Sequence, residues 1–362
     1  MKLQPLIIGD LVVKYPIIQG GMGVGVSRSR LAGAVAKVGG MGIISTAQIG
    51  YDEPEFEKNA LLANFKAIKK HVRLAKEQAE GGVVGVNIMV ATKRYEDYVK
   101  TAIEAGVDVI ISGAGLPVDL PKYAEGSKVK IAPIVSSVKA VNVILRMWDR
   151  KYARTADFVV IEGPLAGGHL GFAPKDLEDI NALDYDTQIQ EMIAAVKVFE
   201  EKYKVKIPVI VAGGIFDHED ILHALSLGAD GVQIASRFVV TEECDASEAY
   251  KQAYLMAKSE DVKIVVSPVG MPGRAILNPF MEKVKIMNVP VTRCHNCLEH
   301  CNPATIPYCI TKALINAVKG DLKEGLIFCG ANVDRLQKMT TVPELMEELV
   351  GESIAIMKKK AI

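Results

Sequence analysis

Along the first two thirds of the chain, short runs of β-branched and apolar residues alternate with segments of helical period. Eight such runs lie at 16–19, 42–45, 84–89, 107–112, 131–136, 158–162, 208–212 and 231–235. The intervening segments place apolar residues three and four positions apart, as at 61–72 and 189–199, which predicts amphipathic helices. Strands that alternate with helices pair in parallel through right-handed crossovers. The pattern therefore predicts an α/β fold of the TIM type, a (β/α)8 barrel.

An open, doubly wound sheet is the alternative arrangement of the same elements. Such a sheet would gather its glycine-rich loops at the single point where the strand order reverses. In this chain glycines follow several of the runs, at 20–25, 113–115, 167–171 and 213–214. The barrel is therefore the preferred interpretation.

Beyond residue 238 the alternation of strands and helices stops. The remaining sequence predicts a helix at 247–260, an irregular Pro- and Gly-containing loop at 268–279, and helices at 306–318 and 342–359. We interpret residues 1–240 as the barrel and residues 241–362 as a helical cap that packs on the barrel mouth. The cap also carries four closely spaced cysteines.

The charge and hydropathy of the chain argue against some classes of binding partner. Its 43 basic and 43 acidic residues balance without a basic block, so we expect neither nucleic acid nor a membrane as a partner. No apolar run approaches the roughly 20 residues that span a bilayer, and the N-terminus lacks the pattern of a secretion signal. The six cysteines do not resemble a secreted disulfide framework. We expect a soluble, cytoplasmic protein, with a homodimer as one candidate assembly.

The most informative motif follows the sixth run. That strand ends in Glu162, and a loop with Gly167, Gly168 and Gly171 then presents His169. In α/β barrels the loops at the carboxyl ends of the strands carry the chemistry. Glycines let the backbone adopt unusual conformations and let a flat ligand approach, and an imidazole gives or takes a proton near neutral pH. His169 is therefore a candidate acid or base, with a surface histidine in a glycine turn as the alternative interpretation.

Two further loops have the composition of a phosphate site. Residues 209–215 run from an apolar strand through two glycines toward a helix, and residues 228–238 form the next unit. These would be the loops after barrel strands seven and eight, where phosphate commonly binds. The backbone N–H groups of Gly213 and Gly214 and the hydroxyl of Ser236 are the candidate donors. A tight glycine turn without a ligand is the alternative.

The first strand ends in the glycine-rich stretch 19–25. This stretch partly matches a dinucleotide-binding fingerprint, but no acidic residue ends a following strand where a ribose would need one. Glycines on both sides of Met22 instead suit a flat ring that lies on the backbone. Asn87, on the third strand, offers an amide donor and acceptor to the edge of a heterocycle, and a buried structural asparagine is the alternative.

Together these motifs resemble the nitronate monooxygenase (2-nitropropane dioxygenase) family and the related flavin-dependent enoyl-ACP reductases. The resemblance covers residues 10–280 and is carried by 16–23, 40–45, 86–89, 112–117, 162–171, 211–215 and 233–238. It implies a TIM-type barrel that binds FMN without a covalent link, with His169 as the catalytic residue at the reactive edge of the flavin. The residues that it implies for the cofactor site are Gly21, Met22, Gly23, Asn87, Glu162, Gly168, Ala212, Gly213, Gly214, Gln233, Ala235 and Ser236.

The resemblance defines the cofactor more closely than the reaction. In a nitronate monooxygenase, His169 would remove the proton α to a nitro group, and FMN would oxidise the alkyl nitronate with dioxygen as electron acceptor. In an enoyl reductase, NAD(P)H would supply the electrons that FMN passes to an enoyl thioester. Pro164 and Leu165 depart from many relatives, and the segment 113–117 resembles the reductase branch. Nitronate oxidation is the main prediction, enoyl reduction the alternative, and a non-catalytic barrel with a phosphorylated ligand a distant one.

The strongest pattern outside the barrel is a set of four cysteines. Cys294, Cys297, Cys301 and Cys309 have the spacing C-x2-C-x3-C-x7-C, which suits one tetrahedral metal or one cluster. The first three resemble the cluster ligands of iron–sulfur flavin reductases that act on dienoyl thioesters, which implies a [4Fe–4S] cluster. Structural zinc and free thiols stay open as alternatives, because two histidines that suit zinc lie among the cysteines.

One arginine also bears on the substrate. Arg274 ends the segment 270–274, whose glycines and proline favour a turn. A guanidinium there would suit a phosphate or carboxylate of a carrier-borne substrate. A solvated arginine in a surface turn is the preferred interpretation.

Overall fold

The computed structural model describes residues 3–352 of the chain. Its strands, in chain order, are β1 (Leu6–Ile8), β2 (Leu11–Val13), β3 (Ile17–Gln19), β4 (Met41–Ser45), β5 (Val84–Met89), β6 (Val109–Gly113), β7 (Lys130–Val135), β8 (Val159–Glu162), β9 (Gly168–His169), β10 (Val209–Ala212), β11 (Gly231–Ile234), β12 (Val262–Val266) and β13 (Pro272–Ile276). Its α-helices are α1 (Ser29–Lys37), α2 (Ala60–Ala79), α3 (Tyr95–Glu104), α4 (Leu120–Tyr123), α5 (Val138–Tyr152), α6 (Tyr185–Tyr203), α7 (His218–Ser226), α8 (Ser236–Val239), α9 (Glu248–Met256), α10 (Pro279–Ile286), α11 (Ile310–Lys319) and α12 (Val342–Val350).

A closed barrel of parallel strands dominates the fold. The order around it is β3, β4, β5, β6, β7, β8, β10 and β11, and β11 pairs with β3 to close the ring. Each neighbouring pair runs parallel, and each of the eight predicted runs overlaps one barrel strand. The predicted (β/α)8 barrel is therefore confirmed, and the open sheet is excluded.

The strands are buried on both faces, which explains their continuous apolar runs. One set of side chains, including Val84 and Val86, packs outward against the helices. The alternate set, including Ile43 and Ile111, fills the interior of the barrel together with Leu6 of the β1–β2 hairpin. The N-terminal hairpin thus contributes to the inner core of the barrel.

The C-terminal third contains a sheet that its sequence does not predict. β12 and β13 form an antiparallel pair, and β13 pairs on its other edge with β9, in the loop that follows β8. The expectation of an irregular loop at 268–279 is therefore wrong, because Pro272–Ile276 is a strand. The proline and glycine of this segment do not favour a strand, and one of its two partners, β9, lies far away in the sequence. The strand is therefore decided by tertiary pairing and not by propensity.

Helices occupy the three C-terminal positions where the sequence predicts them, as α9, α11 and α12. α12 packs Leu345 and Met346 into the same outer core as the barrel helices. The predicted helix 342–359 is observed as Val342–Val350, and residues 353–359 lie outside the described residues. The division at residue 240 stays a prediction. Within residues 3–352, no helix has the length and apolar character needed to cross a bilayer.

Candidate active site

A cavity of about 400 Å³ opens where the barrel strands end. Its walls come mainly from the loops after β3, β5, β6, β8, β10 and β11. The structure places every predicted cofactor residue and the predicted catalytic residue on these walls: Gly21, Met22, Gly23, Asn87, Glu162, Gly168, His169, Ala212, Gly213, Gly214, Gln233, Ala235 and Ser236. Residues that are distant in the sequence thus meet at one face of the barrel, because the carboxyl ends of parallel strands converge there.

The loop after β3 forms one wall of the cavity. The N–H of Met22 donates to Ser27 Oγ at 2.7 Å, which fixes the turn. A Cβ on Gly21 would lie 2.5 Å from Cβ of Asn87, so the loop backbone lies directly against β5. Asn87 and Gln233 both present side-chain amides to the cavity. This wall combines close-packed backbone with amide groups that suit the polar edge of a flat heterocycle.

The loop after β10 forms a second wall. Gly213 and Gly214 have φ angles of +91° and +90°, in the left-handed region that favours glycine. A Cβ on Gly213 would lie 2.9 Å from the carbonyl oxygen of Gly163, in the loop after β8. The amide of Asn332 donates to the carbonyl oxygen of Gly214 at 2.9 Å. The two glycine loops therefore touch, and their contact leaves no room for a side chain.

Sequence reasoning missed the segment 328–332, which lines the cavity beside Ser236. The Gly330 N–H donates to Ser236 Oγ at 3.0 Å, and the Ala331 N–H donates to the carbonyl oxygen of Leu165 at 3.0 Å. The signal that could have revealed it is a glycine after the short apolar run 326–329, the same signal that marks the barrel loops. The run lies far beyond the last barrel strand, so alternation along the chain does not assign it to the barrel mouth.

His169 lies on β9 and is half-buried in the wall of the cavity. Its Nε2 shares a hydrogen bond of 2.7 Å with the Oγ of Ser267, a residue just past β12. Its ring also meets the ring of Phe328 edge to face, with 5.0 Å between the ring centres. Burial disfavours the charged imidazolium and lowers the pKa of His169 to about 4. At neutral pH the imidazole is therefore neutral and able to accept a proton.

Arg274 has a different role from the one that its sequence context suggests. The expectation of a solvated arginine in a surface turn is wrong, because Arg274 is on β13 and buried. Its Nη1 donates to the carbonyl oxygen of Pro164 at 2.7 Å and to that of Ala166 at 2.5 Å. The guanidinium thus binds the backbone of the loop that leads to His169 and holds that loop in place.

Glu162 is the acidic side chain at the end of β8 and faces the same cavity. Burial without a compensating positive charge raises the pKa of its carboxyl to about 7. The hydroxyl of Tyr185 donates to the backbone oxygen of Glu162 at 3.1 Å, which anchors the strand end. Near neutral pH the cavity therefore holds a carboxyl that is partly protonated as well as a neutral imidazole.

We expect the substitution Glu162→Gln to stabilise the protein at pH 8 and to change little at pH 4.5. The pKa of this carboxyl is raised from its ordinary 4.5 to about 7 in the folded protein. The burial of Glu162 therefore lowers the free energy of unfolding progressively as pH rises from 4.5 to about 7, and the loss is at its full size above that range. The expected gain in melting temperature at pH 8 is about 2–4 °C, measured by thermal unfolding at both pH values. Glu201→Gln, on an exposed part of α6, is the control, and an equal effect at both pH values would contradict the prediction.

The four clustered cysteines lie outside this cavity. Cys294 is exposed, while Cys297, Cys301 and Cys309 are half-buried, and Cys309 immediately precedes α11. Burial, and to a smaller extent the nearby thiols of Cys294 and Cys309, raises the pKa of the Cys301 thiol. Burial raises the pKa of Cys297 to about 11. Within residues 3–352, no set of three or more His, Cys, Asp or Glu side chains is arranged so that it could hold a metal ion.

The residues of the barrel cavity fit a flavin with a phosphate group. Gly168 has a φ of +74°, and a Cβ built on it would meet no atom within 4 Å, so its backbone borders open space. The donors around that space are of two kinds, namely the amides of Asn87 and Gln233 and the hydroxyl of Ser236 beside glycine N–H groups. The first kind suits a heterocycle edge and the second suits a phosphate. The fold and the site together define a TIM-type barrel protein whose cavity suits a flavin.

Comparison with known proteins assigns the family. The nitronate monooxygenase family model matches residues 4–352, and the chain belongs to this family. A probable nitronate monooxygenase of Bacillus subtilis is 26% identical over 94% of this chain and 96% of that protein. A carboxyl-CoA dehydrogenase of Mycobacterium tuberculosis is 27% identical over 79% of this chain and 69% of its own length. FabK from Thermotoga maritima superposes with a TM-score of 0.70 at 26% identity, and the match covers 94% of this chain and 92% of that chain. The protein is thus an FMN-dependent oxidoreductase.

Proposed function

We propose that the protein oxidises alkyl nitronates, with His169 as the base that generates the nitronate from a nitroalkane. The observation that carries this proposal is a neutral imidazole held at the wall of the flavin cavity. A neutral imidazole can accept the proton α to a nitro group, whereas an imidazolium has no free lone pair with which to accept it. The Ser267 hydroxyl orients the imidazole, and the Arg274 guanidinium holds the loop that carries it.

The remaining residues hold the cofactor and the substrate in place. Gly213, Gly214 and Ser236 would bind the phosphate of FMN, and Asn87 and Gln233 would contact its ring system. When bound, FMN supplies the acceptor for the electrons of the nitronate carbon, and dioxygen is the final oxidant. The protein contributes orientation, exclusion of water and the transfer of one proton to His169.

The hydrogen bond between His169 and Ser267 carries a testable consequence. We expect Ser267→Ala to lower kcat by about tenfold, since one hydrogen bond that orients the base is lost. The pH at which kcat falls on the acid side should also shift, because the partner of Nε2 is lost. Ser267→Thr retains the hydroxyl and should recover most of the activity. A merely structural serine would change stability in Ser267→Ala and leave the pH profile of kcat in place.

Reduction of an enoyl thioester with NAD(P)H is the second candidate function. The structural similarity to FabK favours it, as does the match to a relative whose name contains a CoA ester. Within the cavity, the partly protonated Glu162 would be the better proton donor for such a reaction, because His169 is neutral at working pH. The two reactions therefore assign the proton transfer to different side chains.

An anaerobic absorbance titration of the holoenzyme distinguishes the two functions. One sample receives NADH or NADPH, and the other receives a nitronate. We expect the nitronate to bleach the flavin absorbance and air to restore it. Bleaching by the nicotinamide alone, followed by turnover of an enoyl thioester, would replace the nitronate proposal with the reductase.

We further propose that Cys294, Cys297, Cys301 and Cys309 ligate a [4Fe–4S] cluster, with zinc as the alternative. Their spacing supports the proposal. Within residues 3–352 no three of these side chains are arranged to hold a metal, so ligation would require the thiols to move closer together. A reducing cytoplasm would keep these thiols available for cluster assembly, and we propose that compartment for the protein. Iron, acid-labile sulfide and zinc are measured on anaerobically purified protein. Iron with sulfide supports the cluster, zinc alone supports the alternative, and the absence of all three would refute both.

A further inference from the structure

A second cavity, of about 380 Å³, lies beside the candidate active site. Residues close together in sequence line the two cavities: Ala47 and Met89, the last residue of β5, line the first, and Gln48 and Lys93 line the second. Residues 293–297, which carry the first two clustered cysteines, form another wall of the second cavity. Its volume suits a small organic ligand, and the proposed proton transfer does not involve it.

The lining of the second cavity is strongly basic in a chain whose charges balance. Four basic side chains face one acidic side chain, Glu57, and the basic ones are Lys58, Lys93, Arg94 and Arg293. Arg293 pairs with Glu57 at 3.0 Å, and Arg94 pairs with Asp97 at 2.6 Å, which leaves the charges of Lys58 and Lys93. Lys93 Nζ donates to the neutral amide oxygen of Asn296 at 2.6 Å, so its charge is not neutralised there. A concentration of positive charge in a concave site attracts an anion.

The cavity is also lined by a buried polar side chain, Gln48, and by the aromatic ring of His295. Gln48 is 6% exposed, and its side-chain oxygen accepts from the amide of Asn64 at 3.2 Å. Among residues 3–352, its side-chain nitrogen has no hydrogen-bond acceptor. The ring of His295 stacks on Phe56 with 4.9 Å between ring centres and lines the same cavity. These groups together suit a phosphorylated nucleotide. Its base could stack on the ring of His295, its polar edge could accept from the amide of Gln48, and its phosphates could pair with the basic side chains.

We propose that the second cavity binds the phosphorylated adenosine end of a substrate or cosubstrate whose reacting end enters the barrel cavity. Coenzyme A thioesters and NADPH share this chemistry, since each carries adenosine with phosphate groups. Residues that neighbour each other in sequence line the two cavities, and this proximity supports one extended ligand with an end in each. The inference rests on the second candidate function, reduction of an enoyl thioester with NAD(P)H in the first cavity, while binding in the second cavity is measured without turnover.

Calorimetric titration of the holoenzyme with three probes tests the proposal. The probes are adenosine 3′,5′-bisphosphate, which matches coenzyme A, adenosine 2′,5′-bisphosphate, which matches NADPH, and unphosphorylated adenosine. We expect at least one bisphosphate to bind about tenfold or more tightly than adenosine, because charged hydrogen bonds contribute on that scale. The tighter bisphosphate identifies the source, and equal binding of both supports the shared chemistry. Binding of both bisphosphates no tighter than adenosine would overturn the proposal.

Three variants localise the binding to this cavity. The double variant K93Q/R293Q should weaken bisphosphate binding by about tenfold or more, while Glu57→Gln, which frees Arg293, should strengthen it. The control K69Q/K100Q removes two exposed lysines that pair with Glu104 and Glu96, and it should bind as the wild type does. Unchanged affinity in K93Q/R293Q would overturn the assignment. Turnover of an enoyl thioester with NAD(P)H is measured separately on the wild type, so failure of that reaction would leave the binding result intact.

Discussion

Replacement of His169 by asparagine is expected to leave the flavin bound and to lower turnover by about 10²–10⁴-fold, the usual contribution of a general base. Its backbone pairing with Gly273 on β13 does not depend on the side chain. The glycine loops and amides that face the cofactor stay in place, because none of them bonds to the imidazole. The proton acceptor alone is lost. The ratio of flavin absorbance to protein absorbance, together with kcat for the neutral nitroalkane, measures the two effects separately. A preformed nitronate needs no base, so its oxidation should persist in this variant.

The matched control for this variant is His223→Asn, since His223 lies on α7 and pairs with Asp186 on the surface. It should retain both flavin and activity. Loss of flavin together with activity in His169→Asn would mean that His169 is structural. Full activity in His169→Asn would mean that another group of the cavity is the base. Glu162, which can also accept a proton, would be the next candidate.

Replacement of Gly213 by valine should release the flavin while the barrel remains folded. The φ of Gly213 is +91°, and its added Cβ would lie 2.9 Å from the carbonyl oxygen of Gly163 and 3.0 Å from the nitrogen of Ala166. The loops after β8 and β10 would have to move apart, and both line the cavity. We expect protein purified without its yellow colour and a far-UV circular dichroism spectrum like that of the wild type. Added FMN should bind at least tenfold more weakly, because phosphate contacts are charge-assisted.

Backbone strain at this position needs its own control. Gly81 has a similar φ of +97°, but a Cβ there would meet no atom within 4 Å, and the residue lies outside the cavity. Gly81→Val therefore carries the conformational cost of a positive φ without the contact. It should lose stability and keep its flavin. If Gly213→Val also kept its flavin, the loop after β10 would have no part in cofactor binding.

The barrel could be predicted because its signals are local. A strand buried on both faces needs a run of β-branched and apolar residues, and a helix on the barrel surface needs one apolar stripe, so both appear within short windows. Val84–Met89 and α2 show this well. The strand Pro272–Ile276 was missed because Pro, Gly and Arg dominate its first half, and its pairing with β12 and β9 supplies the order that its own residues do not.

The residues of the candidate site also fall into those that local sequence signals reveal and those that they do not. Gly213, Gly214, Asn87 and His169 follow directly from the strand ends that carry them, because the topology of a parallel barrel brings all such ends to one face. Ser267 and the segment 328–332 reach that face from the C-terminal third, and no local pattern records the approach.

The sequence by itself therefore determined the barrel and the glycine-rich strand ends that bring Asn87 and His169 to one face, since composition and periodicity within each segment encode them. The role of His169 as the base stays a prediction. Only the tertiary structure decided that Arg274 is buried against the His169 loop and that a basic cavity adjoins the flavin site. It also decided that His169 is neutral and that Glu162 is partly protonated near pH 7. These properties depend on the exclusion of water and on contacts between distant segments, which arise only when the chain is folded.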